Sequence, residues 1–180
     1  MLNPKPIPEA EAPETGAIRR VLLVDESRLQ RRILSASLKR DGYEVYEAES
    51  ADEALGICRA EMPDLVLSDW ILPDMDGLDF CQVFRELPSE HYCYFVILTA
   101  KSEKDQVVKS LEHGAEDFLL KPVDAHELRA RMSAAKRILQ MQRELTDKHR
   151  MITDTLSELQ SVHELVDKDL QAAKRFQESL

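Results

Sequence analysis

Between residues 20 and 122, short apolar runs alternate with amphipathic stretches. The runs VLLVD (21–25), YEVYE (43–47), DLVLSD (64–69), YFVILT (94–99) and DFLL (117–120) predict five strands, since β-branched and aromatic residues in runs of four to six suit a buried pleated surface. Helical spacing separates them near 27–40, 51–60, 77–87 and 103–113. Ser50 and Glu53 form a capping box at the second helix, each side chain positioned to satisfy a free backbone N–H of the other residue. Gly42 and Gly114 stand where helix C-caps belong. Nearly continuous apolar strands separated by helices mean a parallel sheet covered on both faces, because right-handed crossovers put the helices there.

After Pro122 the pattern changes. Asp124 and Glu127 form a second capping box, and no Gly or Pro follows up to Leu180. With Ile138 as an a position, the a series Ile138, Leu145, Ile152, Leu159, Val166, Ala173, Leu180 is wholly apolar. The d series, Met141, Lys148, Thr155, Val162, Asp169 and Phe176, is half apolar. One helix over 124–180 would be about 85 Å long at ~1.5 Å per residue, too long for a small domain to cover. A dimeric coiled coil buries it best.

Composition sharpens this division. Residues 1–18 hold four of the eight prolines together with Glu9, Glu11 and Glu14, a composition expected to form a disordered arm. The net charge of −10 argues against a chain whose main role is holding nucleic acid. Residues 124–180 carry 10 basic and 10 acidic side chains, so the whole excess lies in front of them. A neutral heptad segment suits another helix, not DNA. No apolar run reaches the ~20 residues of a membrane span and no signal-peptide pattern opens the chain, so a cytoplasmic location without a membrane partner is expected. Cys58, Cys81 and Cys93 are odd in number and lack metal-ligand spacing, which marks them as core thiols.

Ligands of open parallel sheets bind at the C-terminal ends of the strands. There the pattern puts Asp25 and Glu26, Asp69, Thr99 and Lys121. Three carboxylates meeting at one place call for a hard divalent cation, and magnesium commonly links carboxylate to phosphate. A lysine and a hydroxyl beside them are what a transferred phosphoryl group requires. A carboxylate can itself be the nucleophile. The segment Asp74-Met75-Asp76-Gly77 lacks both the strand context of a phosphohydrolase and the twelfth-position Glu of a calcium loop, and reads as a turn into the next helix.

The segments VLLVDES, LVLSDWILPDMDG, VILTAK and LLKPVD resemble the signature segments of the receiver domain of two-component response regulators, over about residues 19–123. The resemblance implies a flavodoxin-like doubly wound five-stranded parallel sheet. It further implies that Asp69 accepts a phosphoryl group from a histidine kinase or phosphotransfer protein. Asp25, Glu26, Asp69 and the Ile71 backbone carbonyl would hold Mg2+, although the second acid of this pair is more usually Asp. Lys121 would pair with the phosphate, Thr99 would turn toward it, and Phe118 would follow Thr99 as the switch. Ile71 and Lys101 would flank the path of the water that removes the phosphoryl group.

The expected protein is thus a phosphoacceptor signalling domain, not itself an enzyme, that relays its state through a homodimer formed by residues 124–180. The ending DLQAAKRFQESL looks like the connector before metal-dependent (PPM-type) serine/threonine phosphatase domains in some response regulators, and related connectors precede diguanylate cyclases. The alternatives are therefore a regulatory fragment of such an enzyme, or an adaptor that works without phosphorylation.

Overall fold

The apolar runs become five parallel strands: β1 (Arg20–Val24), β2 (Glu44–Ala48), β3 (Leu65–Asp69), β4 (Tyr94–Thr99) and β5 (Asp117–Leu120). They lie in the order β2-β1-β3-β4-β5. These coordinates are a computed structural model, which describes residues 18–89, 91–100 and 114–179. Strand order reverses between β1 and β3, which are in register from Val21 opposite Leu65 to Val24 opposite Ser68. That reversal opens a crevice at the carboxyl ends of the two strands. The strand most alternating in sequence, β2, is the half-buried edge, whereas all six residues of β4 are buried.

Among the described residues, four helices accompany the sheet: α1 (Arg28–Arg40), α2 (Ala51–Ala60), α3 (Gly77–Arg85) and α4 (Ala125–Glu178). The helix expected near 103–113 and most of the proline-rich arm lie outside the described residues. Gly42 closes α1 with φ +92°, a conformation that a side chain would strain. At α2 the Ser50 hydroxyl accepts from the Glu53 N–H at 3.2 Å, but the Glu53 carboxylate takes the N–H of Glu49 at 2.8 Å, not that of Ser50. The remaining first-turn donors, Ala51 and Asp52, are satisfied by the Asp74 carboxylate at 3.0 and 2.8 Å. Helix α3 stops two residues before the expected 87, because Leu87 precedes Pro88 and a residue before proline avoids the helical region. Asp124 starts α4 by accepting from the N–H groups of Glu127 and His126, and these bonds hold its carboxyl below the ordinary value.

Period-two alternation divides the core between the two faces of the sheet. Leu22, Val24, Val66, Phe95 and Ile97 pack with Leu55 of α2 and Phe80 and Phe84 of α3. The three cysteines are buried in that same layer. Val21, Leu23, Leu65, Leu67, Val96 and Leu98 pack with Leu34 and Leu38 of α1 and with Leu128, Met132, Ala135 and Leu139 of α4. Ile18 is buried in the second layer as well. Each such aliphatic side chain contributes roughly 1.5–3 kcal/mol by leaving water.

The chain divides into two units after Met141. In the second unit, every described residue from Glu144 onward is exposed, including Leu145, Ile152, Leu159 and Val166. No described helix is long and apolar enough to cross a membrane.

Candidate functional site

Asp25 directly follows β1 and Asp69 ends β3, so the strand reversal sets two carboxylates side by side. Asp25 is buried, with one oxygen accepting from the Ser27 N–H at 2.8 Å and the other from Lys121 Nζ at 2.8 Å. The same ammonium lies 2.7 Å from Asp69 Oδ2. Lys121 leaves β5 through a cis peptide bond to Pro122, and its own N–H donates to the Thr99 carbonyl at 2.8 Å. One cation therefore serves two anions in a place mostly shielded from water. Burial is the largest cause that raises the Asp69 carboxyl above its ordinary value; Lys121 opposes it, the Asp25 charge adds to it, and the Trp70 N–H opposes it.

The structure brings Asp25, Asp69 and Lys121 together and ties Thr99 to them through the backbone. The Thr99 hydroxyl is buried and donates to the Ala100 carbonyl at 3.3 Å. Phe118 is half-buried on β5, opposite Ile97 of β4. Ile71 is exposed just past β3 and bridges to Asp76. Glu26 is exposed beside them, and Asp25 and Asp69 share one lysine. Successive residues leaving a strand face opposite ways, and Asp25 has taken the inward place. Among the described residues, no group of three or more His, Cys, Asp or Glu side chains is gathered to hold a metal. The donor set fits magnesium by its chemistry: carboxylate and carbonyl oxygens are hard ligands, and no sulfur or imidazole competes. Lys101 lies outside the described residues.

Three neighbours were not legible as parts of this place. Arg31 of α1 donates to the Asp25 carbonyl at 2.5 Å and the Glu26 carbonyl at 3.1 Å, and its guanidinium stands 3.7 Å from Glu49. Asp74 ties the loop after β3 to the start of α2. Gly77 closes that loop with its N–H 2.7 Å from the Trp70 carbonyl. A Cβ on Gly77 would come within 2.6 Å of the Asp69 carbonyl oxygen, so this close approach requires glycine. Trp70 is buried in the core layer. The partners of Asp74, and Glu49 beside Arg31, lie on chain segments that only folding brings near. A groove of about 450 Å³ opens beside Lys121, lined by Gln30, Ile33, Leu34, Pro122 and Val123.

A family model described as the response regulator receiver domain matches residues 21–133. The chain belongs to this family. Solved structures agree with the receiver fold. A chain described as a response regulator from Chloroflexus aurantiacus J-10-fl is 31% identical, covers 67% of this chain and 98% of its own, and superposes with a TM-score of 0.63. A receiver domain from Clostridium thermocellum is 25% identical, covers 69% of this chain and 98% of its own length, and has a TM-score of 0.63. The receiver of a signal transduction histidine kinase from Syntrophus aciditrophicus is 30% identical, with 66% and 90% covered and a TM-score of 0.61.

Proposed function

We propose that Asp69 is the phosphoacceptor of this receiver and that its donor is a phosphohistidine on a histidine kinase or phosphotransfer protein. The observation that carries this is the Lys121 ammonium held 2.7 Å from Asp69 and 2.8 Å from Asp25. A carboxylate oxygen of Asp69 attacks phosphorus, the phosphorus–nitrogen bond breaks, and the imidazole departs after taking a proton. The acyl phosphate so formed adds negative charge where two carboxylates already share one cation. Lys121 is placed to exchange its Asp69 contact for a phosphoryl oxygen, and Asp25 keeps it in position.

Receiver domains generally bind magnesium for phosphorylation. Here Asp25, Asp69, the Ile71 carbonyl and Glu26 would hold it, and it would supply the positive charge that lets two carboxylates and a phosphoryl group share one place. The Thr99 hydroxyl leaves the Ala100 carbonyl for the phosphoryl group, and Phe118 packs into the space it vacates, so a local charge event biases a two-state element. The groove beside Lys121 is an apolar surface on which the donor can seat. Receivers are phosphoacceptors and generally not catalysts. The state of Asp69 passes to an output through α4, which pairs with a second copy over residues 124–180.

Incubation with a small phosphodonor and magnesium should add one phosphate, seen by intact mass. Asp69→Asn should reduce labelling to background, and undiminished labelling of that variant would remove Asp69 from this role and favour an adaptor that works without phosphate.

A further inference from the structure

In the second unit, four large apolar side chains outside the a and d series are exposed: Met151, Leu156, Leu165 and Leu170. With a at Leu145, Ile152, Leu159 and Val166, Met151 and Leu165 fall at g while Leu156 and Leu170 fall at e. The g position between and before them carries Glu158 and Glu144, and the intervening e positions carry His149 and His163. In a parallel two-stranded coil, a g residue meets the e residue five positions further on in the other helix. That rule pairs Glu144 with His149, Met151 with Leu156, Glu158 with His163, and Leu165 with Leu170, each across the interface. Charge meets charge and apolar meets apolar over four consecutive heptads.

We infer that residues 142–179 pair with a second copy of this chain as a parallel, in-register coil, flanked by alternating Glu–His and apolar g–e contacts. This rests on the dimeric reading of residues 124–180 and adds its orientation, register and response to pH. The apolar pairs also flank two of the three polar d layers. Leu156 adjoins Thr155, and Leu170 adjoins Asp169, while Lys148 adjoins His149. An antiparallel coil sets e against e and g against g, which loses the match of each glutamate to a histidine. A seam shifted to a and e would instead centre each histidine on its own copy.

These alternatives differ in the sign of their pH response. Imidazole ordinarily gains its charge near pH 6.5. The charged groups around His149 are Lys148 and Arg150 on its own helix and Glu144 of the second copy. Around His163 they are Glu164 and Asp167, the latter at 3.6 Å, with Glu158 of the second copy. A glutamate across the interface favours the protonated imidazole, so the dimer binds protons more tightly than the monomer and tightens as pH falls. Histidines facing each other would loosen it.

Sedimentation of the full chain at low salt tests this. The dimer should tighten about tenfold from pH 8 to pH 6, since four exposed Glu–His pairs each contribute a small amount, and His149→Gln with His163→Gln should remove that response. Under mild oxidation Thr155→Cys should form an interchain disulfide and Leu156→Cys should not. Tightening with pH that survives the double substitution, weakening at pH 6, cross-linking of Leu156→Cys instead, or a trimer would overturn the register while leaving a self-associating tail. A monomer at every pH would overturn the dimeric reading itself, and neither result bears on labelling of Asp69.

Discussion

The two ends of the sheet treat buried charge in opposite ways. At the amino ends of β4 and β5, Arg85 donates to the Gly114 carbonyl at 3.0 and 2.9 Å and to the Cys93 carbonyl at 2.8 Å. It also meets both oxygens of Glu116, at 2.5 and 2.6 Å, and lies 5.5 Å from the ring centres of Phe84 and Tyr92. Glu116 accepts in addition from the Phe95 N–H at 2.6 Å and from the Tyr92 hydroxyl. Burial, then that bond to Glu116, pushes the phenol of Tyr92 well above its ordinary value. One cation meets one anion there and the guanidinium's bonds tie α3 to two other chain segments. At the carboxyl ends of β1, β3 and β5, one ammonium serves two carboxylates, and an excess negative charge remains. A balanced network holds elements together; an unbalanced one is ready for a change of charge.

Three substitutions test that contrast, beginning with the largest effect. Arg85→Met leaves Glu116 without its counter-charge, and urea unfolding should show a loss of about 3 kcal/mol. Phosphorylation of the folded fraction should persist, because the Arg85 contacts, to Cys93, Gly114 and Glu116, lie at the opposite ends of the strands from Asp69. A loss under about 0.5 kcal/mol would mean that the balanced end contributes little.

At the other end, removing a charge should help. A carboxyl raised on folding holds its proton more tightly folded than unfolded, so its ionisation costs stability. That cost is absent below the unfolded value of about 3.9 and is complete once pH has risen through the raised folded value. Asp69→Asn should therefore raise stability at pH 7 by about 1 kcal/mol, a Tm gain of about 4 °C. The gain should vanish as pH falls toward 4. An equal gain at both pH values would place its origin in packing and not in charge.

The smallest effect concerns the lifetime of the product. Exposed Ile71 next to the site cannot orient a water molecule. Ile71→Asn should shorten the phosphoryl lifetime about threefold, less than 1 kcal/mol in barrier, followed by loss of labelled protein after the donor is removed. An unchanged or longer lifetime would show that the apolar group is not the brake.

Much of the sheet was legible because its signals are local. A run such as YFVILT has only one low-energy use in water, and YEVYE was legible as a strand although its place at the edge of the sheet was not. The candidate residues Asp25, Asp69, Thr99 and Lys121 were legible for the same reason, since strand ends are set by where apolar runs stop. Glu26 was not. Whether an acid after a strand turns inward or outward depends on which neighbour has filled the inward place. The long helix α4 was legible as a helix, and its heptads as a surface seeking a partner, but burial of Leu128, Met132, Ala135 and Leu139 follows from the sheet face that α1 leaves open.

Sequence alone therefore determined the elements, their parallel packing and the chemistry gathered at one edge, because hydrophobic period and strand length act over a few residues. Tertiary structure decided which groups touch: Lys121 between Asp25 and Asp69, Asp74 at the start of α2, Arg31 on the carbonyls of the acidic pair, Gly77 against Asp69. The Lys121 and Asp74 contacts join residues 22 to 96 positions apart, whereas those of Arg31, five and six positions away, and of Gly77 depend on how a turn brings its two sides together. Such distances follow from how the strands are ordered and how side chains fill a shared volume, which no local pattern encodes.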